Sequence, residues 1–316
     1  MVAGGGERAR RPGRQAPGTG RPWEPASPGP QARCTRRRAG YGAGVGTGLG
    51  WVAGGPGPTV AGLAVAPVKS LRLRHPAEVR LELHGAVGDR HLFLVDRQHH
   101  LYNGVRRGRL VQIGAELVEP DGWLVLEFPD GCRVEGTTAE LGARRLASVY
   151  GRRVPTRLVV GPFAAALSDF CGHELELVRP DQLGAGHDVH PVTLASTTSQ
   201  LALAGRVDDP RLGDDRRFRM LMTLAGCGAD EEDGWTGRLL GVGEAVLRVG
   251  GPVPRCGVTQ QDPDTGQFQL PTLRHLAAHR PRGEDGRSVL FGMYAEVVIP
   301  GRVRLGDEVV PVDPAG

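Results

Sequence analysis

The sequence predicts a mainly β protein with a few helices, arranged as two β-barrel-like domains. Three observations carry that reading. The 49 Gly and 25 Pro among 316 residues interrupt the chain too often for a helical bundle and suit short strands joined by turns. Apolar residues cluster in runs of strand length bounded by Gly, Pro and Asp. The length allows about two domains, and no solenoid-type repeat is present. The expected division is a disordered tail over 1–58, an N-terminal β-barrel domain over 59–150, a connecting segment over 151–189 and a second β-barrel domain over 190–313.

The tail holds nine Arg against Glu7 and Glu24, together with 16 Gly and 8 Pro, and has little apolar surface to bury. Its stretch Gly40–Gly50 never spells GxGxxG and follows no strand, which argues against a dinucleotide loop. It also lacks the apolar core of a signal peptide. Arg36–Arg38 reads either as a nucleic-acid arm or as a solvated tail. Residues 59–316 carry 30 basic and 33 acidic side chains, so the body is mildly acidic and no nucleic-acid partner is expected. No apolar run approaches the length of a membrane span, and no membrane association is expected. The five cysteines are odd in number, widely spread and without a CxxC pair, which points to a reducing, cytoplasmic compartment. His275 and His279 stand four apart in a short helix without an HExxH motif and read as surface residues.

Along the body, Val79–His84 and His91–Asp96 flank the turn Gly85–Gly88 as a hairpin. Leu110–Val118 and Trp123–Phe128 follow as strands across the turn Glu119–Gly122, and another short strand ends at Val134. Thr138–Tyr150 has helical spacing, with Leu141, Leu146 and Val149 expected inward. Residues 151–190 look irregular. Val192–Leu194 is extended, and Thr197 with Gln200 has the spacing of a capping box ahead of a helix. Phe218–Leu224, Leu239–Leu240, Ala245–Val249, Val289–Ile299 and Val303–Val310 complete the strands.

Two positions attract chemistry. Lys69 is the sole lysine against 38 arginines, which suggests a site that wants a compact ammonium rather than a planar fork. With Ser70 beside it, an ammonium and a hydroxyl suit a phosphate, although an accidental surface lysine has the same appearance. Cys256 follows Arg255 between Pro254 and Gly257, so a fixed loop carries a thiol next to a guanidinium. Such a thiolate can be a nucleophile or a soft-metal ligand, and a buried inert cysteine is the plain alternative.

Six segments come in a recognisable order: APVKSL (66–71), GDRHLFLVD (88–96), HPVTLASTTSQL (190–201), RRFR (216–219), DGWTGRLLGVG (233–243) and PRCGVTQQDPDTG (254–266). Together they resemble the MOSC family of molybdenum-cofactor proteins, in which an N-terminal β-barrel domain precedes the MOSC domain. The resemblance implies the molybdenum cofactor as ligand and Cys256 as both catalytic residue and metal ligand. It implies cofactor contacts from Lys69, Ser70, Arg106, Ser196, Thr197, Ser199, Arg219, Arg255 and Thr259. Three departures stand out: Met220–Leu221 where the family often has Pro-Asn, an arginine displaced by one position to Arg106, and Thr259–Gln260 where Thr-Thr is usual.

The implied activity is reduction of N-hydroxylated or N-oxide compounds by oxygen-atom transfer. A small-molecule substrate is expected, with a separate reductase or electron carrier as partner, because no cysteine follows Cys256 and no flavin or haem motif is present. The alternative is a sulfur carrier using a persulfide on Cys256. Pyridoxal phosphate binding would have to use the lone Lys69 and is a weak alternative.

Overall fold

In a computed structural model, the structure describes residues 57–118 and 121–312. The expectations for the tail therefore lie outside the described residues, apart from its last two positions.

The first half supplies β1 (Thr59–Leu63), β2 (Glu78–Glu82), β3 (Gly85–Ala86), β4 (Phe93–Asp96) and β5 (Leu101–Tyr102), then β6 (Gly114–Val118), β7 (Trp123–Glu127) and β8 (Arg133–Thr137). A long hairpin follows, β9 (Leu141–Val149) and β10 (Arg152–Val159), then α1 (Phe163–Cys171) and β11 (Leu175–Pro180). The second half contains β12 (Val192–Ser196), α2 (Thr197–Val207), β13 (Met222–Ala225), β14 (Leu239–Val242) and β15 (Ala245–Arg255). It ends with α3 (Thr272–His279), β16 (Val289–Ile299), β17 (Gly301–Arg304) and β18 (Val309–Val312). The mainly β reading holds, and no described helix is long and apolar enough to cross a membrane.

Two expectations fail in kind. Val79–His84 and His91–Asp96 do not pair as a hairpin, because β2 pairs with β3 and β17 whereas β4 pairs with β5 and β11. Thr138–Tyr150 is not a helix but largely β9, paired with β10 from Arg152 opposite Val149 to Val159 opposite Leu141. Tyr150 and Gly151 both have positive φ, 48° and 79°, which is the backbone of a tight type I′ hairpin turn. Period-two burial wins: Ala147 and Val149 are buried, while Leu146, expected inward, is exposed. Residues 151–190, expected to be irregular, supply two of the five strands in the sheet ordered β5-β4-β11-β10-β9.

The second sheet has seven strands in the order β1-β13-β12-β16-β15-β14-β18. It curls until its edges meet. Val60 N donates to Asp307 O at 2.9 Å, Gly306 N to Val60 O at 2.8 Å and Val309 N to Pro58 O at 2.7 Å. Inside it pack Val60, Leu194, Leu224, Leu247, Met293 and Val303, each worth about 1.5–3 kcal/mol on full burial. A second core under the first sheet gathers Leu71, Leu92, Leu94, Leu124 and Phe163. The halves are stitched together, since β1 pairs with β13 and β17 pairs with β2.

The DPDTG segment forms a docked turn. One Asp262 carboxylate oxygen accepts from the amides of Asp264 and Thr265 at 3.0 and 2.8 Å, an Asx-type turn. The turn ends at Gly266, whose φ is +71° and where an added Cβ would lie 2.1 Å from the Gly108 carbonyl. Only glycine allows the two loops to meet there. Gly266→Ala is expected to lower stability by roughly 2–4 kcal/mol, from backbone strain together with steric overlap. Urea unfolding checks this, and an unchanged midpoint would show that the contact can be given up.

Candidate active site

Two of the quoted segments zip together and place their cations side by side. Ala66 N donates to an Asp89 carboxylate oxygen at 2.7 Å, Arg90 N to Ala66 O at 2.8 Å and Lys69 N to Leu92 O at 2.8 Å. This brings Lys69 and Arg90 to one cleft. On the opposite wall, β15 carries register irregularities around Pro252 and Pro254, where the ladder is broken and the strand bends. The chain leaves the sheet there, with Cys256 exposed and capping the 3₁₀ turn Gly257–Gln260. The Thr259 hydroxyl donates to Cys256 O at 3.0 Å and fixes that turn.

Six expected site residues, Lys69, Ser70, Arg219, Arg255, Cys256 and Thr259, line this single cleft. It encloses about 100 Å³, widening to about 810 Å³ with the space open to solvent. Four others lie elsewhere. Arg106 stacks over the Tyr102 ring and pairs with Asp96 at 2.7 Å. Ser196 caps α2 by accepting from the Thr198 and Ser199 amides, and Thr197 donates to Leu224 O at 3.1 Å. Ser199 donates to buried Glu232 at 2.8 Å. The N-terminus of α2 thus faces Glu232, and these serines serve the fold there.

The cleft also holds residues to which the sequence reading gave no role: Arg90, Tyr150, His187, Asp188 and Tyr294. Lys69 Nζ donates to Asp188 at 2.6 Å and to Gly186 O at 2.9 Å, and lies 5.5 Å from the Tyr150 ring centroid. Arg90 donates to Asp89 and, at 3.2 Å, to Arg219 O. Arg219 donates to Leu71 O at 2.7 Å, and Arg255 to Phe218 O. Met220, at the family's Pro position, receives Arg255 through its sulfur at 3.6 Å. GDRHL was a legible segment, but only the fold shows that its Arg points inward.

Four of the seven described non-glycine residues with positive φ line this cleft: Ser70, Arg90, Tyr150 and Arg219. Such backbone strain of about 1–3 kcal/mol each persists where the surroundings impose it, and it gathers at functional sites.

The charges are also unbalanced. Among the described residues, Lys69, Arg90, Arg219 and Arg255 face only Asp89 and Asp188 as fixed anions. Burial pushes Lys69 and Arg255 down, with Asp188 opposing both. Arg219 is pushed down to about 10 by burial and by Arg90, and remains cationic near neutrality. Arg255 Nε is buried with no hydrogen-bond partner among the described residues. Cys256 lines the same cleft as Arg219, Arg255, Tyr150 and Tyr294. Surplus guanidinium groups, an orphaned buried N–H and an exposed thiol make a donor set that fits a polyanionic ligand bearing a soft metal.

Fold and cleft define a two-part β protein with a cationic, cysteine-rimmed binding site. Residues 181–310 match the family model described as MOSC domain. The chain is 28% identical over 186 residues to human mitochondrial amidoxime-reducing component 1, covering 57% of this chain and 53% of that protein. It is 27% identical over 292 residues to the Xenopus laevis component 1, covering 81% and 83%. Against component 2 of Macaca fascicularis it is 25% identical over 282 residues, covering 79% and 82%. Among solved structures, YuaD of Bacillus subtilis is similar at 13% identity and TM-score 0.36, over 80% of this chain and 93% of that one.

His187 gives the site a pH signature. It is 5% exposed, with its ring 4.0 Å from Asp89, and it is pushed down to about 4 by burial, with Arg90 adding to the effect. Below its ordinary value of 6.5 the unfolded chain takes up a proton that folded His187 refuses. Stability is therefore expected to fall as pH drops from 6.5 toward 4, by roughly 2 kcal/mol by pH 5. Urea unfolding across this range checks it. His187→Asn should flatten the slope, and an equally steep variant would assign it to other groups.

Proposed function

We propose that the chain is a molybdenum-cofactor oxidoreductase that reduces N-hydroxylated or N-oxide compounds. The observation that carries this reading is the exposed Cys256 thiol, on a proline-bent loop at the rim of a cleft walled by Lys69, Arg90, Arg219 and Arg255. The MOSC match and the amidoxime-reducing names of the relatives support it.

When bound, the molybdenum cofactor supplies two-electron redox chemistry at a soft metal. Cys256 is its protein ligand. Lys69 and Ser70 hold the cofactor's phosphate, and Arg219 and Arg255 hold the remainder of its anionic surface. Thr259 keeps the cysteine turn in place by its bond to Cys256 O. Burial raises both tyrosine hydroxyls, Tyr294 to about 12, so each stays protonated and able to donate near neutrality. Reducing an N–OH group to N–H consumes two electrons and two protons and releases water. The electrons come from a separate reductase or carrier.

Protein from a cofactor-competent host is expected to bind molybdenum stoichiometrically, and Cys256→Ala to lose most of it while staying folded. Metal analysis beside a melting curve checks this. Undiminished metal would remove Cys256 as ligand, and a Cys256 persulfide on metal-free protein would favour the sulfur carrier.

Lys69→Ala is expected to weaken cofactor retention about tenfold to hundredfold, from a lost charge-assisted contact of about 1.5–3 kcal/mol. Lys69→Arg should fall between. Pterin content after equal dialysis reads both, and full retention in Lys69→Ala would end the phosphate role.

A further inference from the structure

On the face of the first sheet where β9, β10 and β11 run side by side, the register sets Arg144 opposite Arg157 and Arg157 opposite Arg179. All three line one cavity of about 670 Å³, which shares no lining residue with the Cys256 cleft. Adjacent strands lie ~4.8 Å apart, so the guanidinium row spans about 10 Å.

Like charges directly opposite one another on a sheet are destabilising. Among the described residues none of these three arginines makes an ion pair, although Asp121 and Asp181 also line the cavity. Arg157 Nε is buried with no partner, and its NH2 group reaches only the Leu141 and Gly142 carbonyls at 3.3 and 3.4 Å. The next residue on β9 behaves differently. Arg145 grips Glu176 with two hydrogen bonds of 2.9 Å. Among the described residues, the same sheet therefore pairs an arginine with a carboxylate on one face and leaves three arginines without an ion pair on the other.

We infer that this row is a second anion site, which takes a small molecule bearing two linked phosphoryl groups. Three guanidinium forks in a line leave two gaps, each bordered by two cations, and planar forks suit bidentate contacts to phosphoryl oxygens. The wide cavity leaves room for an organic substituent. Loading this site does not require the Cys256 cleft, so the inference stands apart from the proposed reaction.

The test is calorimetric titration of the full chain with sodium pyrophosphate and, separately, with inorganic phosphate. Pyrophosphate should bind more tightly than phosphate, and added salt should weaken it. Arg157→Gln should lose at least about tenfold in affinity, and the Arg144→Gln/Arg179→Gln double variant should lose measurable binding. Arg248→Gln, on β15 and outside both cavities, should bind like the parent. Without ligand, Arg157→Gln should melt no lower than the parent, because a like-charge contact has been removed, and this separates lost binding from lost folding. Absent binding, unchanged affinity in Arg157→Gln, or loss in Arg248→Gln would each overturn the site. Equal affinity for phosphate would overturn the requirement for two linked groups.

Discussion

Asp89 is 1% exposed, and its two carboxylate oxygens hold together the parts that make the cleft. One accepts from the amide of Ala66, on the segment that leads to Lys69, and the other from the guanidinium of Arg90. The His187 ring faces it from the segment that carries Asp188. A buried carboxylate is costly unless it is paired and hydrogen-bonded, and here the pairing joins three stretches of chain. Arg90 in turn donates to the backbone of Arg219. The cationic wall is thus assembled around one anion. Its remaining positive charge faces the open space beside Cys256.

The parts of this arrangement visible in the sequence were those whose composition is unusual locally. A single lysine among arginines and a cysteine between proline and glycine need no fold to be noticed, and both line the cleft. Asp188 and Tyr150 were hidden for a different reason. Each is ordinary in its own neighbourhood: Tyr150 reaches Lys69 from the β9–β10 turn, where a helical spacing could also be read, and Asp188 from a loop 119 residues away. The serines at the start of α2 show the converse. Their capping geometry is local and legible, whereas the direction in which that helix end faces depends on Glu232, 36 residues from Ser196.

Strain and charge tell a consistent story about stability. Left-handed backbone at Ser70, Arg90, Tyr150 and Arg219 and crowded cations at the same cleft both lower the stability of the empty fold. The two apolar cores and the curled seven-stranded sheet offset that cost away from the site. Rigid loops on a stable frame keep the thiol and the cations in place before any ligand arrives, which favours tight binding. The docked turn at Gly266 contributes by fixing the far end of the cysteine loop against the first half.

The closure of the second sheet has a consequence for how the chain reaches its native state. Val60 bonds to residues 306 and 307, so the sheet's edges cannot join until the chain has been made through residue 307. The entropy of closing so long a loop must be met before the contact gives anything back, and folds rich in such distant pairings assemble slowly. Until then β13, the neighbour of β1, has an unpaired edge whenever β1 is not in place. Exposed edges of that kind recruit other strands, including those of another copy. The strand that seals the finished sheet therefore also covers an edge that would otherwise be open to other strands.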